Sequence, residues 1–239
     1  ELNRIRGKEI SLIFQEPSAS FNPLFTVGSQ IAEVLRVHEG LSRREAAGRA
    51  VEILREVHIQ NADKRAEDFP FQLSGGMLQR AMIALAVACG PKVLLADEPT
   101  TALDPTTQIK ILDLLKEKSA LSGMSMIFVT HDLELLSGFA DRIMVMYAGR
   151  VFESASAKSL LEKPLHPYTA DLLAAVPRPG IFKDTDRLYS IQGRVPEAGS
   201  RPSGCAYHPR CRLAEERCSA CEPPLVQKEG SYVRCRLYA

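Results

Sequence analysis

The chain carries almost no net charge: 30 basic residues stand against 29 acidic ones, a balance of +1 over 239 residues. A surface so balanced offers little to a polyanion, which excludes a nucleic-acid interface as the main binding face. No apolar stretch approaches the roughly 20 residues that span a bilayer, and no signal-peptide pattern is present. Any membrane association is therefore expected to go through a partner. Cysteine is scarce until the end. Cys89 stands alone in the first two hundred residues, and then Cys205, Cys211, Cys218, Cys221 and Cys235 crowd together. Without secretory marks, such clustering points to a metal before disulfides. Hydrophobic residues make up 45% of the chain, enough for a substantial core in one or two domains.

What the chain does have is a pair of ordered motifs. Leu73-Ser74-Gly75-Gly76-Met77 reads as a glycine-rich turn feeding a helix, because Ala81, Met82, Leu85, Ala86 and Cys89 continue as an apolar helical stretch. The free N–H groups of such a helix start form an anion site. Ser74 adds a hydroxyl, and Gly75 and Gly76 let a phosphate approach the backbone. The second motif is the apolar run Val93-Leu94-Leu95-Ala96, ending in Asp97-Glu98. This predicts a buried strand whose two acids stand at the carboxyl edge of a parallel sheet, where ligands of open α/β folds bind. One acid can hold Mg²⁺ while the other polarises an attacking water. A further strand over 125–130 ends in the same way at His131-Asp132.

Together with Gln15, which follows Ile10-Ser11-Leu12-Ile13-Phe14, and with Ala102-Leu103-Asp104, these residues resemble the ATP-binding cassette (ABC) ATPases in the order known for that family. The resemblance implies roles by position. Gln15 matches the Q-loop glutamine, Leu73 to Met77 the signature, Asp97 and Glu98 the Walker B aspartate and catalytic glutamate, Ala102 to Asp104 the D-loop, and His131 the switch histidine. Gln79 and Asp104 join Ser74, Gly75 and Gly76 as expected nucleotide-binding residues, and Asp97 and Gln15 as expected Mg²⁺ contacts. The family also carries a G-x-x-x-x-G-K-[ST] loop ahead of the Q-loop glutamine, and the 14 residues before Gln15 contain none. The chain therefore reads as the later part of a cassette. On its own it is expected to complement a partner's phosphate loop and to turn over no ATP. The alternatives are a soluble ABC ATPase outside transport and a truncated, inactive remnant.

The expected fold is α/β: an ABC cassette of the P-loop NTPase kind, with a parallel sheet, a helical signature subdomain over about 26–90, and a small Cys-rich C-terminal extension. Helical spacing appears over 26–39 and 42–57, the second opened by a Ser42/Glu45 capping box. The signature helix, a strand over 92–97, a helix over about 106–120 and the strand over 125–130 then alternate as in a doubly wound sheet. Residues 142–147 and 150–153 read as closing strands, so the core is expected over 1–153 and the extension over 154–239. Short helices are predicted over 156–162 and 166–175. Pro177-Arg178-Pro179-Gly180 breaks the pattern, and the tail beyond it is loop-rich and in need of a staple.

Cys205, Cys211, Cys218 and Cys235 are spaced C-x5-C-x6-C-x16-C, and four thiolates suit either tetrahedral zinc or an iron-sulfur cluster. The segment from Gly204 to Cys211, with His166-Pro167-Tyr168-Thr169 and Phe14-Gln15-Glu16-Pro17, resembles the ATPases of oligopeptide and dipeptide importers over nearly the whole chain. That resemblance favours a [4Fe-4S] cluster on the four cysteines, with zinc as the alternative, and leaves Cys221 outside the pattern. It implies the D-type ATPase of such a transporter, with ATP and Mg²⁺ as cofactors. A second ATPase subunit in a heterodimer, two transmembrane permease subunits and, indirectly, a substrate-binding protein are the partners it implies. The expected place is the cytoplasmic face of the membrane.

Overall fold

Short apolar runs become parallel strands where the sequence turns β-branched, and amphipathic runs become helices between them. The computed structural model describes residues 2–101, 103–176, 189–197 and 199–239. The expectations for Ala102 and for the break at residues 177–180 lie outside them. Contacts divide the chain into two units, Glu1–His131 and Asp132–Ala239.

The first unit opens with a helical turn α1 (Leu2–Ile5) and strand β1 (Ile10–Ile13), then runs through helices α2 (Val27–Glu39), α3 (Arg43–Glu56), α4 (Ala62–Ala66) and α5 (Gly75–Val87). Strand β2 (Val93–Asp97), helix α6 (Pro105–Ser122) and strand β3 (Ser125–Val129) complete it. The strands form a parallel sheet in the order β1-β2-β3, with Ile13 beside Ala96 and Asp97 beside Val129. One sheet face and the helices share a core that includes Ile13, Leu94, Ala96, Ile31, Leu54, Met82, Ile83, Ile111 and Leu115. The opposite face, with Ile10, Leu12, Ile127 and Val129, is exposed, so the apolar runs of β1 and β3 reflect side chains on both faces rather than burial on both.

Local chemistry fixes the helix ends. The Ser42 hydroxyl accepts from the Glu45 N–H at 3.3 Å while the Glu45 carboxylate accepts from the Ser42 N–H at 2.9 Å, so the capping box at the start of α3 is complete. Helix α6 starts on Asp104 and stops at Gly123, which adopts φ +70°. Helices α2 and α4 meet closely at Gly28, where an added Cβ would lie 2.7 Å from the Ala66 Cβ.

The second unit holds α7 (Leu133–Leu136), β4 (Arg142–Tyr147), β5 (Arg150–Ser156), α8 (Ala157–Glu162), α9 (Pro167–Ala175), α10 (Arg217–Ala220), β6 (Val226–Lys228) and β7 (Ser231–Val233). The closing strands expected over 142–147 and 150–153 are present as β4 and β5. Strands β4 and β5 do not extend the parallel sheet; they pair antiparallel and belong to a separate sheet of order β4-β5-β7-β6. The tail hairpin β6–β7 lies on β5 through Glu153 beside Val233 and Ser154 beside Tyr232. Strand β5 runs on past Glu153 to Ser156, and ladder bonds tie the tail to it. The staple of the tail is this hairpin together with an aromatic cluster of Tyr147, Phe152 and Tyr207.

Candidate functional site

In the first unit, strand pairing sets the chemistry. Beyond Asp97 the chain leaves the sheet at Glu98, whose N–H still donates to the Val129 carbonyl at 2.9 Å. Glu98 adopts φ +47°, a left-handed conformation uncommon outside glycine that turns the side chain away from the strand direction. Its Oε1 lies 2.7 Å from Nδ1 of His131, and its Oε2 accepts from the Gln15 Nε2 at 3.3 Å and the Thr101 hydroxyl at 3.1 Å. Three of the residues singled out in the sequence thus meet on one carboxylate. The His131 hydrogen bond holds the Glu98 carboxyl below the usual carboxylate range, assisted by Thr101 and Gln15.

Two neighbours of Glu98 carry no motif of their own. Thr101 bonds both the side chain and the carbonyl of Glu98, the latter at 3.1 Å. Gln79 is fully buried, and its Nε2 donates to the Glu98 carbonyl at 3.5 Å. Gln79, which the resemblance sets among the nucleotide-binding residues, thus touches the Glu98 backbone in this structure. The signal for Thr101 was available, since a hydroxyl three residues beyond a strand-end acid can turn back onto it.

Asp97 ends β2 with an exposed side chain. Ser74 and Gly75 are exposed at the start of α5, where the Ser74 hydroxyl accepts from the Met77 N–H at 3.3 Å. The first turn of α5 presents N–H groups with no partner inside the helix. Asp104 accepts from the Thr107 N–H at 3.0 Å and caps α6, and those contacts hold its carboxyl below the usual range.

In the second unit, Cys205, Cys211, Cys218 and Cys235 line one cavity, shared with His166, Pro167, Tyr207, His208 and Leu213 among others. The backbone brings the first and third thiols together, as the Cys205 N–H donates to the Cys218 carbonyl at 2.8 Å. Burial pushes the Cys205 and Cys211 thiols up, and that of Cys235 to about 11. Cys221 is exposed, bonded by Arg236, and not part of the cavity wall. Among the described residues no three His, Cys, Asp or Glu side chains form a group that could hold a single metal ion.

Behind the cavity, buried Asp171 accepts from the hydroxyls of Tyr189 at 2.7 Å and Tyr207 at 2.5 Å and from Arg212 at 2.6 Å. Glu153, also buried, accepts from the N–H groups of Leu165 at 2.8 Å and His166 at 2.9 Å. Neither acid stood out in the sequence, since a lone carboxylate has no local signature of burial.

Comparison with known proteins agrees with both units. Residues 2–101 match the ABC transporter family and residues 152–218 the C-terminal region of oligopeptide/dipeptide transporters. A peptide import ATP-binding protein of Brucella melitensis is 51% identical over 94% of this chain and 68% of its own length. The oligopeptide transport ATP-binding protein AppD of Bacillus subtilis is 47% identical over 98% of this chain and 71% of its own. The chain thus spans about two thirds of the length of these relatives. Among solved structures, the ATP-binding cassette MJ0796 bound to ADP and Pi is similar with a TM-score of 0.60 and 35% identity, over 65% of this chain and 66% of that one. No described helix is long and apolar enough to cross a membrane. With relatives this similar along nearly all its length, the chain belongs to the ABC transporter ATP-binding proteins, in the branch that carries the oligopeptide/dipeptide transporter C-terminal region.

Proposed function

We propose that this chain is part of the ATP-hydrolysing subunit that drives peptide import through an ABC transporter. The observation that carries the reading is the meeting of Gln15, Glu98 and His131 at the carboxyl end of β2 and β3. Glu98 is ionised and so placed to accept a proton from an attacking water, while His131 and Gln15 hold its two oxygens in position. Asp97 and Gln15 are the groups suited to Mg²⁺, which would neutralise charge on the transferred phosphate. Ser74, Gly75 and Gly76 supply N–H and hydroxyl donors for a phosphate presented by a second cassette, with Asp104 near the seam of that pair.

The expected assembly is two different ATPase subunits beneath two transmembrane permease subunits at the cytoplasmic face of the membrane, loaded indirectly by a substrate-binding protein. Nucleotide binding closes the ATPase pair, hydrolysis reopens it, and the segment after Gln15 passes the motion on. The test is ATP-dependent peptide uptake by the complete transporter in vesicles, with and without Glu98→Gln. Uptake and turnover lost together support the reading. Turnover that survives the substitution refutes it.

The four cavity thiols are read as the ligands of a [4Fe-4S] cluster. Support comes from their shared cavity, whose wall is largely apolar. Zinc on the same four thiols is the alternative, since four thiolates also suit a tetrahedral site. Such a cluster would supply a one-electron centre and a cross-link for the tail. Iron, sulfide and zinc analysis of protein purified without oxygen decides between them.

A further inference from the structure

We infer that Gln79 is a positioning residue for ATP hydrolysis: its buried carboxamide anchors the turn that carries Glu98 to helix α5, and through that bond the acid keeps its place at the ends of β2 and β3. The inference rests on the reading of Glu98 above and gives the support of the acid to a residue outside the strand ends.

Glu98 holds a backbone conformation that side chains rarely adopt, with φ +47°, and a residue stays there only where its surroundings over-determine it. Its N–H donates to the Val129 carbonyl at 2.9 Å, which fixes the side of the turn that faces β3. Its carbonyl lies beyond the strand and accepts from Thr101, from the hydroxyl at 3.1 Å and from the N–H at 3.4 Å. Both of those donors belong to the same turn and move with it, so they set its shape and not its place. The Gln79 Nε2, 3.5 Å from the same carbonyl, comes from a different element, 19 residues earlier in the chain.

Gln79 is 0% exposed, and the other buried residues of α5 are all apolar: Ala81, Met82, Ile83, Ala84, Ala86 and Val87. A carboxamide in such a place costs free energy unless it is hydrogen-bonded, so the bond to Glu98 orients the side chain as well as the carbonyl. The helix itself is held independently. Ser74 caps its start through the Met77 N–H at 3.3 Å, and its apolar face joins the core that contains Leu94 and Ala96 of β2. Gln79 thereby lends the rigidity of α5 to a carbonyl one residue beyond the end of β2. The same helix opens at Ser74 and Gly75, whose donors the reading above gives to a phosphate, and a rise of 1.5 Å per residue sets Gln79 about 7.5 Å along the axis from Ser74. One helix end thus spaces the phosphate donors and the backbone of the acid. Spacing of this kind matters to rate, since a misplacement of about 1 Å can cost about 10²-fold.

The experiment measures ATP turnover by the complete transporter carrying Gln79→Met or Gln79→Asn, each alone and combined with Glu98→Gln. Methionine keeps the length and removes the donor, whereas asparagine keeps the carboxamide but is one methylene too short to reach. The two differ in volume and polarity and share the lost bond. The expected result in both is a kcat lowered by about 10- to 10²-fold, a KM for ATP within about twofold of wild type, and no further loss when either is added to Glu98→Gln. An unchanged kcat in either assembled variant overturns the inference. A KM that rises while kcat holds does so too, because it makes Gln79 a nucleotide contact. The same fractional loss in the Glu98→Gln background also overturns it, as the mark of general destabilisation, and loss of the folded subunit in both variants would assign Gln79 to folding instead of position. Each of these outcomes leaves the reading of Glu98 intact; turnover that survives Glu98→Gln alone refutes that reading and the inference with it.

Discussion

Glu98 and His131 are 33 residues apart in sequence, yet the carboxylate Oε1 and the imidazole Nδ1 stand 2.7 Å apart. The parallel register that sets Asp97 beside Val129 brings them together, each just beyond the end of its strand. Glu98→Gln in the complete transporter is expected to lower ATP turnover by about 10²- to 10⁴-fold, the usual contribution of a positioned general base, while ATP binding persists. His131→Ala should act through the same carboxylate. Its hydrogen bond holds the Glu98 carboxyl low, so its removal lets Glu98 protonate at higher pH, and the acid limb of the rate profile should move upward. A pH profile of ATP hydrolysis with an unmoved acid limb would count against the pairing. The 239-residue chain alone, which contains no G-x-x-x-x-G-K-[ST] loop, is expected to show no turnover that Glu98→Gln reduces.

The capping box at Ser42 gives a stability prediction independent of any ligand. Ser42→Ala removes the acceptor for the Glu45 N–H and should cost about 1 kcal/mol, within the 0.5 to 2 kcal/mol range of N-cap losses. Ser42→Asp, which keeps an acceptor, should cost less than half as much. Urea unfolding followed by circular dichroism would resolve the two, and equal losses would mean that the box contributes little to α3.

What the sequence made legible is what local chemistry decides. The box at Ser42 and Glu45, the helical spacing of Ile53 and Leu54, and the strand ending at Asp97 each depend on residues within one turn or one strand. The meeting of Gln15, Glu98 and His131 followed from the order of the motifs. Hidden from the sequence was everything set by long-range packing. Strands β6 and β7 are three residues each and acquire their hydrogen bonds from one another and from β5. Their turn, Glu229-Gly230, has positive φ at both positions without the Asn-Gly or Asp-Gly pair that marks such turns. Gln79 sits in a helix too apolar to suggest a polar contact beneath Glu98. His166 looked like one letter of a motif, and only the fold shows it buried with its Nδ1 accepting from the Tyr168 N–H.

Asp171 anchors the aromatic cluster. Burial alone would raise its carboxyl pKa, but hydrogen bonds from Tyr207, Tyr189 and Arg212 outweigh that and hold it below the usual range. A carboxyl with a depressed folded pKa stabilises the protein above its unfolded pKa, and that contribution fades as pH falls through the folded value. Asp171→Asn leaves one amide NH₂ facing donors and should cost about 2 kcal/mol at neutral pH, in the range for a buried group left unsatisfied. The gap between wild type and variant should narrow below about pH 4. With no tryptophan in the chain, tyrosine fluorescence in urea reports on this cluster, and a gap that stays constant with pH would mean that the carboxylate charge plays no part.

Gly204 and Gly230 provide a matched pair for the thiol cavity. Both have positive φ, +68° and +80°, so alanine at either pays the left-handed penalty of about 1 to 2 kcal/mol. At Gly230 nothing lies within 4 Å of an added Cβ, whereas at Gly204 it would meet the Cys218 carbonyl and lie 2.7 Å from the Ser219 carbonyl carbon. Those are backbone atoms of the loop that returns Cys218 to Cys205, and they cannot rotate aside. Gly204→Ala is therefore expected to lose at least twice the stability of Gly230→Ala and to break the bond between the Cys205 N–H and the Cys218 carbonyl. Urea midpoints of the two proteins side by side make the comparison. Equal losses in both would show that the loop at Gly204 yields, and that close backbone approach is not what holds Cys205 and Cys218 at the same cavity.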